Sequence, residues 1–264
     1  MLIGYRWLSP LIGLLLSLMT SAQAGVISII IDDIGYNHRL GLKAIQLDAN
    51  ITLAILPDAP FAKPLSDIAL HSGHEIMLHI PMQPTTPQTT HEPVVLNVNM
   101  DKIEVQAIVD HYLDAFPQAR GINNHMGSLL TRHPGHMSWI MADLSEHPGT
   151  YFVDSRTHRN SIASKIASEY GIANTTRDIF LDAEPATPKA IRFQIQRMIK
   201  QLEKEGFVLA IGHPHAETLK ALRQAIPKLL AAGHTIVPVS RYIELKESLP
   251  CPTCSSPSLR VVKN

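Results

Sequence analysis

Cysteine is nearly missing from this chain. There are two, Cys251 and Cys254, in one Cys-Pro-Thr-Cys stretch near the end. A closed thiolate zinc site needs four ligands, and no second pair exists. The stretch does not open a helix in a βα unit, as a thioredoxin-type motif would. In a Pro/Ser-rich tail, a local disulfide formed in an oxidising compartment is the simplest reading. Net charge is missing too. Lysine plus arginine total 23 and aspartate plus glutamate total 23, so nothing marks a nucleic-acid footprint or an anionic membrane surface. Past residue 24 no run approaches the about 20 apolar residues of a membrane span. No G-x-G-x-x-G turn follows the first strand-like run, so the fingerprint of a dinucleotide fold is absent. Nor does any repeat or linker divide the chain.

What is present begins with a leader. Arg6 precedes a short apolar stretch over residues 8–19, and Ala22-Gln23-Ala24 then supplies small residues at the right spacing for signal peptidase. Residues 1–24 therefore read as a signal peptide. The expected mature protein is exported, to the periplasm or elsewhere in the cell envelope, with no stable membrane insertion. Residues 25–247 read as one domain and 248–264 as a disordered tail. The oligomeric state is not legible.

The domain alternates apolar, β-rich runs with helical patterns. Residues 26–31 form an apolar run broken only by Ser28, the mark of a strand buried on both faces. Further strands are expected at 51–56, 75–80, 121–123, 151–153, 172–174, 179–181, 207–211 and 235–239. Helices are expected around 40–47, from Pro64 to Gly73, and over 101–116, 137–146, 161–170, 187–205 and 217–231. In the third of these, Ile103, Ala107, Ile108 and Leu113 are expected to face inward. Residues 81–93, rich in Pro, Thr and Gln, read as a long loop, which in a compact domain is usually functional. Seven or eight βα units in about 220 residues point to a parallel α/β fold. A barrel or an open doubly wound sheet would both fit, and the missing dinucleotide fingerprint favours the barrel.

Reactive side chains fall at the strand ends. Asp32 and Asp33 follow the first strand, His79 ends the third, His125 lies just past the fourth, Asp154 ends the fifth, and His213 follows residues 207–211. In a parallel barrel those ends converge on one rim. Asp and His are the residues that bind divalent metals and move protons. Adjacent Asp32 and Asp33 are two like charges that a cation would relieve. Plainer roles stay open: Asp is a favoured helix cap, and a buried histidine can simply bond to backbone. Of the other histidines among the 14, His38, His71, His74, His133, His136, His147 and His158 read as surface or helix-end residues, and His215 stays undecided.

These residues carry a resemblance. The strand ending in Asp32-Asp33-Ile34-Gly35, the segment Gly73-His74-Glu75-Ile76-Met77-Leu78-His79, and Gly212-His213 resemble motifs of the polysaccharide deacetylases. Leu78 to Pro84, Gly121 to Ser128 and Ile211 to Pro214 resemble that family's divergent branch. The resemblance implies an irregular (β/α)7-type barrel, the NodB-like deacetylase fold. It implies a metal-dependent hydrolase of amide bonds in an N-acetylated polysaccharide, with Zn²⁺ the expected metal on Asp33, His79 and His125. Asp32 would be the base and His213 the acid, with Asp154 orienting His213 or bonding the sugar. Asn123, Asn124 and Gln83 are candidates for substrate contact. Two departures stand out: the family's second metal-binding histidine, four residues after the first, is Gln83 here, and its Arg-Pro-Pro-Tyr segment is absent. His125 is expected to supply the missing ligand. Two other readings are a glycan-binding or regulatory protein that keeps the barrel, and a glycosidase using two carboxylates such as Asp33 and Asp154.

Overall fold

The computed structural model describes residues 24–48, 50–86 and 91–248. The expected leader, apart from its last residue, and the tail with Cys251 and Cys254 lie outside the described residues. Strands and helices alternate along the chain: β1 (Val26–Ile34), α1 (His38–Ile45), β2 (Thr52–Ile55), α2 (Ala62–His71), β3 (Ile76–Met82), α3 (Lys102–Ala115), β4 (Gly121–Met126), α4 (Pro134–Ser145), β5 (Tyr151–Asp154), α5 (Ala163–Glu169), β6 (Asn174–Thr176), β7 (Ile179–Phe180), α6 (Pro188–Glu205), β8 (Phe207–Gly212), α7 (Ala216–Ala231), β9 (Thr235–Ile236) and α8 (Val239–Glu247).

Every strand pairing is parallel, in the order β6-β5-β4-β3-β2-β1-β8-β7, with β9 beside the start of β1. The outer strands β6 and β7 are separated in sequence only by Arg177 and Asp178, so the sheet must curl until its two edges meet. The connector reaches both edges: the Arg177 amide donates to Asp154 O, and the Asp178 amide donates to Leu209 O, each at 3.0 Å. The expected irregular barrel is thus a curled parallel sheet with one seam.

Alternation along β1 sorts its side chains. Ile27, Ile29 and Ile31 pack outward into the layer shared with the helices. Ile30 turns into the curl, where it meets Ala54, Met77, Val153, Leu209 and Ile211. The amino ends of the strands are closed by α8, whose Tyr242 and Ile243 fill the curl from below. Glu75, just before β3, ties this plug down. Its carboxylate accepts from Tyr151 (2.8 Å), Thr52 (3.2 Å), the Ser240 amide (3.1 Å) and the Ser240 hydroxyl.

Several expectations are corrected. Residues 235–239 are not one strand: β9 stops at Ile236, and Pro238 caps α8. In α3 the buried side is Val105, Val109, Tyr112 and Leu113, whereas Ile103 is 77% exposed and Ala107 is exposed. Asp101 caps this helix in a capping box with Glu104, which fixes where the helix begins. His74 and His136 are buried; both ring nitrogens of His74 lie 2.9 Å from backbone carbonyls, of Ile51 and Ile45. Pro81 and Met82 belong to β3 and not to a loop, and Gln83 continues the pairing through its amide to Leu96 O at 2.8 Å.

Candidate active site

Two consecutive residues of a strand point to opposite faces, yet Asp32 and Asp33 both reach the mouth of the curl. The pairing of β1 with β2 slips between Ile31 and Ile34, and Asp33 has φ +56°. This bulge in a left-handed residue turns the second carboxylate inward. Aspartate is among the few non-glycine residues that adopt this conformation readily. On the neighbouring strands His79 and Asn123 are register partners, so their side chains emerge side by side. His125, two residues further along β4, emerges on the same face, and β4 leaves it through Met126 (φ +53°) and Gly127 (φ +84°).

Three donor atoms converge there. Asp33 Oδ1 lies 2.9 Å from His125 Nδ1 and 3.2 Å from His79 Nε2, and the two nitrogens are 3.1 Å apart. Asp33 Oδ1 is buried, and neither imidazole contact has hydrogen-bond geometry, so the oxygen has no hydrogen-bond partner. An oxygen and two nitrogens at the corners of a small triangle suit a divalent cation. Ligands about 2.0–2.2 Å from a tetrahedral zinc are about 3.3–3.6 Å apart, a few tenths of an ångström wider than found here. Burial works to raise the Asp33 pKa, but the imidazoles of His125 and His79 hold it well below the usual carboxylate range.

Around this triangle each group is held. Asn123 accepts from His79 Nδ1–H through Oδ1 at 2.7 Å and donates through Nδ2 to Asp32 Oδ1 at 2.9 Å. The first bond puts the hydrogen on Nδ1 and leaves His79 Nε2 as the lone pair facing Asp33. Burial would lower the His79 pKa, but the charges of Asp32 and Asp33 raise it. Across the mouth, His213 Nε2 is 3.7 Å from Asp33 Oδ2. Its Nδ1 donates to Asp182 Oδ1 at 2.9 Å, and its backbone amide and the Thr218 hydroxyl both donate to Asp182 Oδ2 at 2.7 Å. Burial opposes charge on His213, yet Asp182, Asp33 and Asp32 push its pKa up to about 9. Beside it Phe180 carries Arg177 over its ring at 4.6 Å. A cavity of about 410 Å³ opens here, lined among others by Asp32, His79, His125, Arg177, Phe180 and His213.

The structure therefore brings Asp32, Asp33, His79, His125 and His213 together, and rearranges the rest. The carboxylate that orients His213 is Asp182 and not Asp154, whose Oδ1 accepts from the Arg156 amide at 2.7 Å. Asn123 is a bridge between site residues; no part of its side chain is exposed for substrate. Asn124 lines the cavity, but its amide stitches the rim, donating to Met126 O and accepting from Ser155 N. Gln83 turns away, accepting from the Val98 amide at 2.9 Å. Asp182 and Arg177 escaped the sequence reading; both lie in the irregular stretches that flank the two-residue strand β7.

This chain belongs to the divergent polysaccharide deacetylase family, whose pattern it matches over residues 29–243. It is similar to the uncharacterized protein YibQ of Escherichia coli K12, with 35% identity over 215 residues covering 81% of this chain and 66% of that one, so the match spans just under two thirds of that relative. It is also similar to an uncharacterized Haemophilus influenzae protein, at 32% identity covering 88% of this chain and 85% of that one. Among solved structures, an uncharacterized protein of Agrobacterium tumefaciens C58 superposes with a TM-score of 0.75 at 21% identity, covering 84% of this chain and 90% of that one. A CE4 family pseudoenzyme of Bacillus anthracis superposes at 0.51 with 12% identity, covering 84% and 66%. These likenesses define the fold as NodB-like.

Proposed function

We propose that this protein is an exported, metal-dependent deacetylase of an N-acetylated envelope glycan. The observation that carries the reading is the triangle of Asp33, His79 and His125 facing the His213–Asp182 pair across one cavity. Asp33, His79 and His125 would hold the cation, with His125 filling the part of the histidine that Gln83 replaces. A divalent cation supplies Lewis-acid polarisation of the acetamide carbonyl and makes a nearby water more acidic. Asp32, fixed by Asn123, accepts a proton from the attacking water. Asp182 favours the charged form of His213, whose Nε2–H donates to the amine as the carbon–nitrogen bond breaks. Asp182 keeps Nδ1 occupied, so the proton that moves is the one on Nε2. Acetate and a free amine leave.

The test is elemental analysis of the purified protein, followed by acetate release from chitin and peptidoglycan fragments with and without chelator. Chelator-sensitive release supports the reading. Zinc-loaded protein that releases no acetate but retains glycan binding favours the second reading, a binding protein that kept the fold. Gln83 in place of a histidine motivates that second reading. The glycosidase alternative loses ground because Asp33 faces two imidazoles and Asp154 is committed to a backbone amide.

A further inference from the structure

Outside the curl, near the start of β5, the packed pair α3 and α4 assembles another group of ligands. Asp110 comes from α3, Asp143 from α4, and His147 from just past the end of α4. One ligand atom of each lies within 4.8 Å of the others. His147 Nε2 is 3.1 Å from Asp110 Oδ1, and among the described residues this is the only ion pair these carboxylates make. Asp143 is only 5% exposed, and its Oδ2 is buried with no hydrogen-bond partner. An anionic oxygen in that position is costly unless something positive meets it. Asp110 and Glu146 add negative charge nearby, and only His147 offsets it; burial, then Asp110, push the Asp143 carboxyl up to about 6. Two carboxylates this close, one of them buried, need either a proton or a cation between them.

We propose that Asp110, Asp143 and His147 form a second divalent-cation site that clips α3 to α4 and takes no part in the chemistry at the mouth. Two carboxylate oxygens and one imidazole nitrogen suit Zn²⁺, with the remaining position open to water. The buried Asp143 supplies the fixed ligand, while the more exposed Asp110 and His147 close around the ion from the surface. Because both helices lie in the outer layer, the ion would add a fixed link between two elements otherwise joined by side-chain packing and by polar contacts such as His147–Asp110.

Isothermal titration of the chelator-treated protein with Zn²⁺ as the only probe tests this. Wild type should bind two equivalents. His147→Ala, a change at a partly exposed position, should leave one. Asp143→Asn should weaken the same equivalent by about tenfold or more, since even residues that merely support a ligand cost 10–100-fold. The double variant His79→Ala/His125→Ala should keep the Asp143-dependent equivalent, and Zn²⁺ should still raise its melting temperature. If the site at the mouth is misassigned, wild type binds one equivalent and His147→Ala removes it. If His147→Ala and Asp143→Asn, both folded by circular dichroism, take up zinc as wild type does, the two carboxyls share a proton and the proposal is overturned.

Discussion

At Asn123 one amide does two jobs, orienting His79 and holding Asp32. Asn123→Ala should therefore lower zinc affinity at the mouth by about 10–100-fold, the usual effect of losing a group that orients a ligand. Asp154→Ala should leave that affinity unchanged. Titration calorimetry separates the two. His213 makes a pH prediction. In metal-free protein its folded pKa is about 9, above an unfolded value of about 6.5. The folded state thus binds the proton more tightly. The stabilisation is complete below about pH 6.5 and is lost as pH rises through about 9. Asp182→Asn should flatten the fall in melting temperature across that window. The cluster at the mouth was legible because the carboxyl ends of parallel strands converge on one rim, and several of them carry Asp or His. Their helpers were not: an Asn beside a His looks like any polar rim residue until strand register makes them neighbours, and Asp182 meets His213 only in three dimensions.

Among the elements, α8 contributes most for its length. Its Tyr242 is fully buried inside the curl, with Phe207 at a centroid distance of 5.8 Å. Tyr242→Ala should cost about 3–5 kcal/mol, as large-to-small changes in cores do, while zinc binding to the folded variant stays as in wild type. Denaturant melts and titration check the two halves. The sequence hid this helix because Thr235–Ile236 and the apolar residues after them read as one strand, and the break at Pro238 looks like any strand end. The main strands were readable for the opposite reason: a parallel strand covered on both sides is a nearly continuous apolar run, as β8 is and as β1 is up to Asp32 apart from Ser28. For α3 the helix was readable but its phase was not. Ile103 has the right spacing to be buried, and only packing against α4 decides that Val105 and Val109 go inside. Glu75, in the segment that resembles the deacetylase motif, is the anchor of α8 and not a site residue.

For the whole molecule, the expectation of export is tested by sequencing the protein from an envelope fraction. The mature chain should begin at Gly25, whose amide bonds to His234 Nδ1 at 3.2 Å. An intact Met1 in that fraction would refute cleavage. The curl also has an uneven distribution of ease. Its left-handed non-glycine residues among those described are Asp33, Met126 and Arg156, and all three stand where β1, β4 and β5 open onto the mouth. For Met126 and Arg156 that conformation costs roughly 1–2 kcal/mol, which the surrounding sheet must offset; aspartate tolerates it more readily. Arg156→Gly should recover about 1 kcal/mol, seen as a higher melting temperature. Heat will find the same places. On warming, the rim should relax before the sheet melts, so any turnover should fade at a temperature where circular dichroism still reports a native fold, and cooling from that point should restore it in full.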